Sequence, residues 1–120
     1  MKKILIVDDH SDIRKLIRIT IGHAYEVLEA EEGMTALQII RNQHPSLVVL
    51  DIMMPGDMDG LQVLDEVRAD PSLQDIQVIM VTARGQAKDY ETGMSRGANA
   101  YLIKPFSPIQ LVNNIKDLLK

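Results

Sequence analysis

The sequence predicts an α/β domain over residues 1–120: five parallel strands in one sheet, with helices on both faces. Three observations predict it. Short, wholly apolar runs alternate with segments of helical spacing along the whole chain. The first three runs are rich in β-branched residues and apolar at successive positions, as in strands covered on both faces. The length, 120 residues with 46% apolar, suits one domain with a well-filled core.

Each element can be justified in order. Ile4-Leu5-Ile6-Val7 reads as a buried strand. Ile13, Leu16, Ile17, Thr20 and Ile21 then recur at the spacing of one helical face, with Ser11 placed to cap it. Tyr25 to Glu29 sets Val27 and Leu28 between Glu26 and Glu29, and a strand that carries charge belongs at a sheet edge. The run Glu29, Glu31, Glu32 reads as a solvated loop. Met34, Leu37 and Ile40 mark a second helix, and Leu47-Val48-Val49-Leu50 a third strand. Leu61, Leu64 and Val67, with Val63 beside them, mark a third helix; Val78-Ile79-Met80-Val81 is the next strand. Gln86 to Ser95 is a thin fourth helix, with only Ala87, Tyr90 and Met94 on one face and Gly97 as its stop. Tyr101-Leu102-Ile103 is the last strand, and Leu111, Val112, Ile115, Leu118 and Leu119 the last helical stripe. Strand–helix alternation implies right-handed crossovers, and the economical order for five such strands is 2-1-3-4-5, flavodoxin-like, with Tyr25–Glu29 on one edge.

Composition removes several functions. With no cysteine there is no disulfide scaffold, thiolate metal site or cysteine nucleophile. A net charge of −4, no Trp and a single Phe argue against nucleic-acid binding by this domain. Apolar runs of four or five residues are too short to span a membrane or form a signal-peptide core, so a cytoplasmic protein is expected.

The residues that end the buried runs carry the chemistry. Asp8 and Asp9 follow the first, Asp51 the third, Thr82 the fourth and Lys104 the fifth. Parallel strands end on one side, and ligands bind beyond their carboxyl ends where the strand order reverses. Three carboxylates, a hydroxyl and an ammonium therefore converge. Crowded carboxylates raise one another's pKa unless a cation neutralises them. Oxygen ligands favour a hard ion, Mg²⁺ or else Mn²⁺. Lys104 supplies a point charge for an anion and Thr82 a donor. The set suits phosphoryl transfer to a carboxylate, with Asp51 the best nucleophile and Asp8–Asp9 the metal-holding pair. His10 reads as a partly exposed neighbour of that pair, and Met53-Met54 as packing.

The set Asp8-Asp9, Asp51, Thr82 and Lys104-Pro105 resembles the receiver domain of two-component response regulators, over essentially the whole chain. Asp51-Ile52-Met53-Met54-Pro55, followed by Asp59-Gly60, is similar to the family's phosphorylation loop. The resemblance implies that Asp51 is the phosphoacceptor. It implies Mg²⁺ held by Asp9, Asp51 and the Met53 carbonyl, with Asp8 acting through a water. Lys104, Thr82 and Ala83 would bind the phosphoryl group, and Tyr101 would turn inward as Thr82 moves. Lys104–Pro105 would be a cis peptide bond, and Met53 and Arg84 would tune phosphoryl lifetime. Pro55 to Gly60 is one residue longer than the commonest loop of the family and adds Asp57.

A switch follows from the resemblance, not a turnover enzyme. A histidine kinase or phosphotransfer protein donates to Asp51. The face formed by the fourth helix, last strand and last helix then changes its affinity for a protein partner, or for a second copy in a weak homodimer. The thin fourth helix would be the marginal element that shifts. Two other classes compete. A haloacid-dehalogenase-type phosphatase has similar groups, but needs its nucleophile after the first strand in an Asp-x-Asp-x-Thr pattern; here the residues are Asp8-Asp9-His10-Ser11-Asp12. A flavin-binding module needs a phosphate loop where Asp8-Asp9 would repel the phosphate. The chain also reads equally well as a stand-alone protein or as part of a larger regulator.

Overall fold

The computed structural model describes residues 1–83 and 90–120. Eleven-residue helices and five-residue strands dominate. The order is β1 (Lys3–Val7), α1 (Ser11–Ile21), β2 (Glu26–Ala30), α2 (Gly33–Gln43), β3 (Leu47–Asp51), α3 (Gly60–Ala69), a short 3₁₀ turn (Pro71–Leu73), β4 (Gln77–Ala83), α4 (Tyr90–Ser95), β5 (Ala100–Lys104) and α5 (Pro108–Leu118). The five strands are parallel, in the order β2-β1-β3-β4-β5. Both the sheet and its order match the expectation, with the charged strand on one edge.

Strand alternation divides the core in two. On one face Leu5, Val7, Val48, Leu50, Val78 and Met80 meet Ala36, Leu37 and Ile40 of α2 and Val63, Leu64 and Val67 of α3. On the other, Ile4, Ile6, Leu47, Val49, Ile79 and Val81 meet Ile17 and Ile21 of α1 and Leu111 and Ile115 of α5. Each such Val, Leu, Ile or Met side chain is withdrawn from water, which stabilises the fold by roughly 1.5–3 kcal/mol apiece before entropy is counted. β3 is buried along its whole length, and that is why its sequence shows no polar–apolar alternation.

Several expectations shift in detail. Leu16 and Met34 lie on the predicted stripes yet are 44% and 46% exposed. The sheet covers a narrower face of each helix than the spacing suggests. Ser11 is the first residue of α1 and not its cap; His10 takes the cap position without a side-chain hydrogen bond. Glu29 is no loop residue. It sits in β2 and accepts from Arg14 Nε at 2.9 Å and Arg18 Nη2 at 2.7 Å. Gly97 does stop α4: its φ of 106° is left-handed, and the Ala98 amide returns to the Gly93 carbonyl at 3.1 Å. Of the predicted fourth helix, Tyr90 to Ser95 is helical; Ala87 and Arg84 lie outside the described residues. No described helix is long and apolar enough to cross a membrane.

Candidate functional site

The register explains why the key residues meet. Val7 pairs with Ala30 on one side and Leu50 on the other, so the chain leaves β1 at Asp8 level with Asp51 at the end of β3. Asp51 pairs with Val81, which puts Thr82 one step beyond it on β4. Thr82 pairs with Ile103 and Ala83 with Lys104. Four strand ends thus bring their terminal residues to one edge of the sheet.

Asp8, Asp51 and Thr82 are the buried polar residues of the described chain. Lys104 bridges the two carboxylates: Nζ donates to Asp8 Oδ2 at 2.8 Å and to Asp51 Oδ2 at 3.2 Å. The Met53 amide reaches the other Asp51 oxygen at 3.3 Å. Burial, and then repulsion from Asp8, push the Asp51 carboxyl above its usual range; Lys104 and the Met53 amide oppose this without overcoming it. Burial works against the charge on Lys104, but the hydrogen bond to Asp8 and the attraction of both carboxylates outweigh it, so its pKa is raised. The ammonium stays charged at neutral pH, shared between two acids.

A third carboxylate completes the pocket. Asp8, Asp9, His10 and Asp51 each offer one ligand atom, all within 4.8 Å of one another. Asp9 Oδ1 is buried, yet among the described residues it accepts no hydrogen bond. A buried carboxylate oxygen without a hydrogen bond is costly, the His10 ring nitrogen 3.2 Å away makes none to it, and a cation there removes that cost. One ammonium against three carboxylates leaves the pocket short of positive charge. Oxygen donors at this spacing fit a hard divalent ion such as Mg²⁺.

The loop beyond Asp51 is held by close backbone contacts. A Cβ at Gly60 would overlap the Asp51 carbonyl, and one at Gly33 the Met58 carbonyl. Asp59 caps α3 by accepting from the Gln62 amide at 2.9 Å, while the Gln62 side chain accepts from the Asp59 amide at 2.8 Å. This capping box sets where the loop ends and seats α3 under β3. Before that cap the loop turns at Gly56, whose φ is 94°. Asp57 is exposed there.

The other predicted residues fall as follows. Lys104–Pro105 is cis. Met53 is 59% exposed, so its side chain is not core packing, whereas Met54 packs against the core. Ala83 is exposed at the end of β4. The Tyr101 ring packs inward against α4, where a Cβ on Gly93 would stand 3.0 Å from it. His10 is more involved than its sequence context suggests: Nδ1 lies 3.2 Å from both Asp8 Oδ1 and Asp9 Oδ1.

Arg14 was not legible as a site residue. Its Nη1 donates to the Asp8 carbonyl at 2.7 Å, while Nε binds Glu29. The guanidinium ties the Asp8–Asp9 backbone to the edge strand. Its place in α1, one turn beyond Asp8-Asp9, is the only signal the sequence offers.

Fold and pocket together define a class: a doubly wound α/β domain with an acidic, lysine-bridged aspartate site at its topological switch point. The family model for the response regulator receiver domain matches residues 4–116, and the chain belongs to that family. It is 45% identical over 120 residues to the "Probable transcriptional regulator ycf27" of Cyanophora paradoxa, and 40% identical to the phosphate regulon transcriptional regulatory protein PhoB of Pseudomonas aeruginosa. These alignments cover 99% of this chain but 48% and 52% of the relatives, so the chain spans about half their length. The crystal structure of the receiver domain of NtrX from Brucella abortus superposes with a TM-score of 0.87 at 33% identity, covering 97% of each chain.

Proposed function

We propose that the domain is a phosphorylation switch in which Asp51 accepts a phosphoryl group from a phosphohistidine donor, a histidine kinase or phosphotransfer protein. One observation carries the reading: Asp51 is buried at a strand end with Lys104 at 3.2 Å and an Asp9 oxygen that accepts no hydrogen bond within the same cluster.

The chemistry follows from the groups present. An Asp51 oxygen attacks phosphorus in line with the leaving group. The P–O bond to Asp51 forms as the donor's P–N bond breaks, and the departing imidazole leaves with the electron pair and takes a proton from water. Lys104 is placed to follow the charge from the carboxylates onto the phosphoryl oxygens. Thr82 and the Ala83 backbone, one and two steps along β4, flank the same oxygens. Asp8, Asp9, Asp51 and the Met53 carbonyl would hold Mg²⁺, which supplies charge neutralisation when bound. Water later cleaves the aspartyl phosphate to inorganic phosphate and the free carboxylate. Turnover is confined to the domain's own phosphorylation and dephosphorylation, so the protein acts as a switch and not as an enzyme on other substrates.

The output runs through Thr82 and Tyr101. The Tyr101 ring already packs inward beside Gly93, and when Thr82 turns to the phosphoryl group that inward packing is reinforced, so the α4-β5-α5 face changes its affinity for a protein partner or a second copy. The relatives named as transcriptional regulators are consistent with a signal passed on to an output outside this domain.

The test is intact mass after incubation with acetyl phosphate and Mg²⁺. Wild type should gain one phosphoryl group, and Asp51→Asn none. Equal labelling of both would remove the assignment, and labelling undiminished by a chelator would remove the metal.

A further inference from the structure

We propose that His10 turns this cation pocket into a mixed nitrogen–oxygen site, which takes borderline divalent ions such as Ni²⁺, Cu²⁺ or Zn²⁺ with its imidazole as a ligand. The inference rests on the divalent-ion reading of the pocket and deepens it: it concerns which ions compete for the site.

The geometry is that of ligands around an ion. His10 Nδ1 is in hydrogen-bond contact with Asp8 Oδ1 at 3.2 Å and stands 3.2 Å from Asp9 Oδ1, so an ion taking the nitrogen would replace that hydrogen bond. Neighbouring ligands on an ion with bonds of ~2.1 Å stand about 3 Å apart, so the three atoms have the spacing of one coordination edge after another. Asp51 adds a fourth ligand atom inside the same 4.8 Å cluster. The Asp9 oxygen in the trio is buried without a hydrogen bond. The His10 backbone amide is anchored on Asp8 Oδ1 at 2.9 Å, which keeps the ring at the pocket mouth.

Chemistry then separates the ions. Mg²⁺ is hard, keeps several waters and takes oxygen. The ring is 63% exposed and can swing away without disturbing the carboxylates. Ions later in the first transition row bind imidazole well, and their affinity for nitrogen sites rises towards Cu²⁺. The same pocket therefore serves Mg²⁺ through oxygen alone and gains a nitrogen for the borderline ions. Those ions would displace Mg²⁺ at far lower concentration and set how much of the domain is available for phosphoryl transfer.

The experiment is calorimetric titration of the untagged chain with Mg²⁺ and with Ni²⁺, for wild type, His10→Ala and Asp9→Asn. Spin-echo EPR of the first equivalent of Cu²⁺ accompanies it. His10→Ala should weaken Ni²⁺ about tenfold or more and abolish the ¹⁴N coupling to Cu²⁺, while the Mg²⁺ constant shifts less than about threefold. Asp9→Asn should weaken both ions. Unchanged Ni²⁺ affinity or persistent ¹⁴N coupling in His10→Ala, with Mg²⁺ binding still dependent on Asp9, overturns the nitrogen ligand alone. Mg²⁺ binding that ignores Asp9→Asn overturns the underlying pocket, and this proposal with it.

Discussion

Gly60→Ala tests how the site is built into the fold. Gly60 opens α3 directly beneath the end of β3. A Cβ there would stand 2.8 Å from both the Asp51 carbonyl carbon and Ile52 Cα, and would overlap the Asp51 carbonyl oxygen. Carbon atoms pack comfortably at about 3.5–4.0 Å, so strand and helix must part by roughly 1 Å. Every atom in the way is backbone, and Asp51 and Ile52 are buried, so no side chain can rotate aside. Overpacking of this kind costs about 1–3 kcal/mol, and the upper end applies where backbone must move. The gain in helix propensity offsets no more than ~1 kcal/mol. The net expectation is a loss of about 2 kcal/mol in urea unfolding of the metal-free chain. Because the displaced residue is Asp51, the proposed acceptor and metal ligand, Mg²⁺ affinity should fall about tenfold or more as well. Gly60→Ala within ~0.5 kcal/mol of wild type, with Mg²⁺ affinity intact, would refute the reasoning.

Other expectations follow from single contacts. Asp51→Asn should raise the melting temperature of the chelator-treated chain at pH 7. Burial and Asp8 hold the native Asp51 pKa above its unfolded value, so the native state binds more protons there; stability is full below the unfolded pKa and is lost as pH rises through the folded one. The difference between variant and wild type should shrink on acidification, as differential scanning calorimetry across pH can show. Glu29 has the opposite sign. Burial opposes its charge, but Arg18 and Arg14 hold its pKa below the usual carboxylate range, so its contribution is present above the unfolded value and disappears as pH falls through the folded one. Glu29→Gln should therefore destabilise at pH 7 more than at pH 3, in parallel urea titrations. Arg68 donates to the Gly97 carbonyl at 2.9 Å and to Asn99 Oδ1 at 2.8 Å, latching α3 to the turn between α4 and β5. Arg68→Met should cost about 1–2 kcal/mol in urea unfolding, because the partly buried Gly97 carbonyl loses a charged donor while the exposed Asn99 can turn to water. A loss below ~0.5 kcal/mol would show that the latch is ornamental.

Much of this architecture was legible because the sheet is buried on both faces. Ile4–Val7, Leu47–Leu50 and Val78–Val81 are apolar at every position, a pattern a half-exposed strand would not show. Once the strands were placed, topology carried Asp8, Asp9, Asp51, Thr82 and Lys104 to one edge, and the register brings them there. What stayed hidden depends on partners far away in the chain. Arg14 reaches Glu29 fifteen residues on, and Arg68 reaches residues 97 and 99. A charged side chain on a helix looks solvated until its partner is known. Gly60 and Gly33 gave no sign of the carbonyls pressed against them, because close approach is a property of packing and not of local propensity. The exposure of Leu16 and Met34 was invisible for a similar reason: spacing identifies the face of a helix but not how much of it the sheet covers.

The most direct measurement is to locate the modification. The chain is labelled with acetyl phosphate and Mg²⁺, the acyl phosphate is reduced with borohydride, and the peptides are sequenced by tandem mass spectrometry. Homoserine is expected at position 51, with aspartate unchanged at 8 and 9. Reduction at Asp8 or Asp9, or a phosphoryl group found on His10, would contradict it.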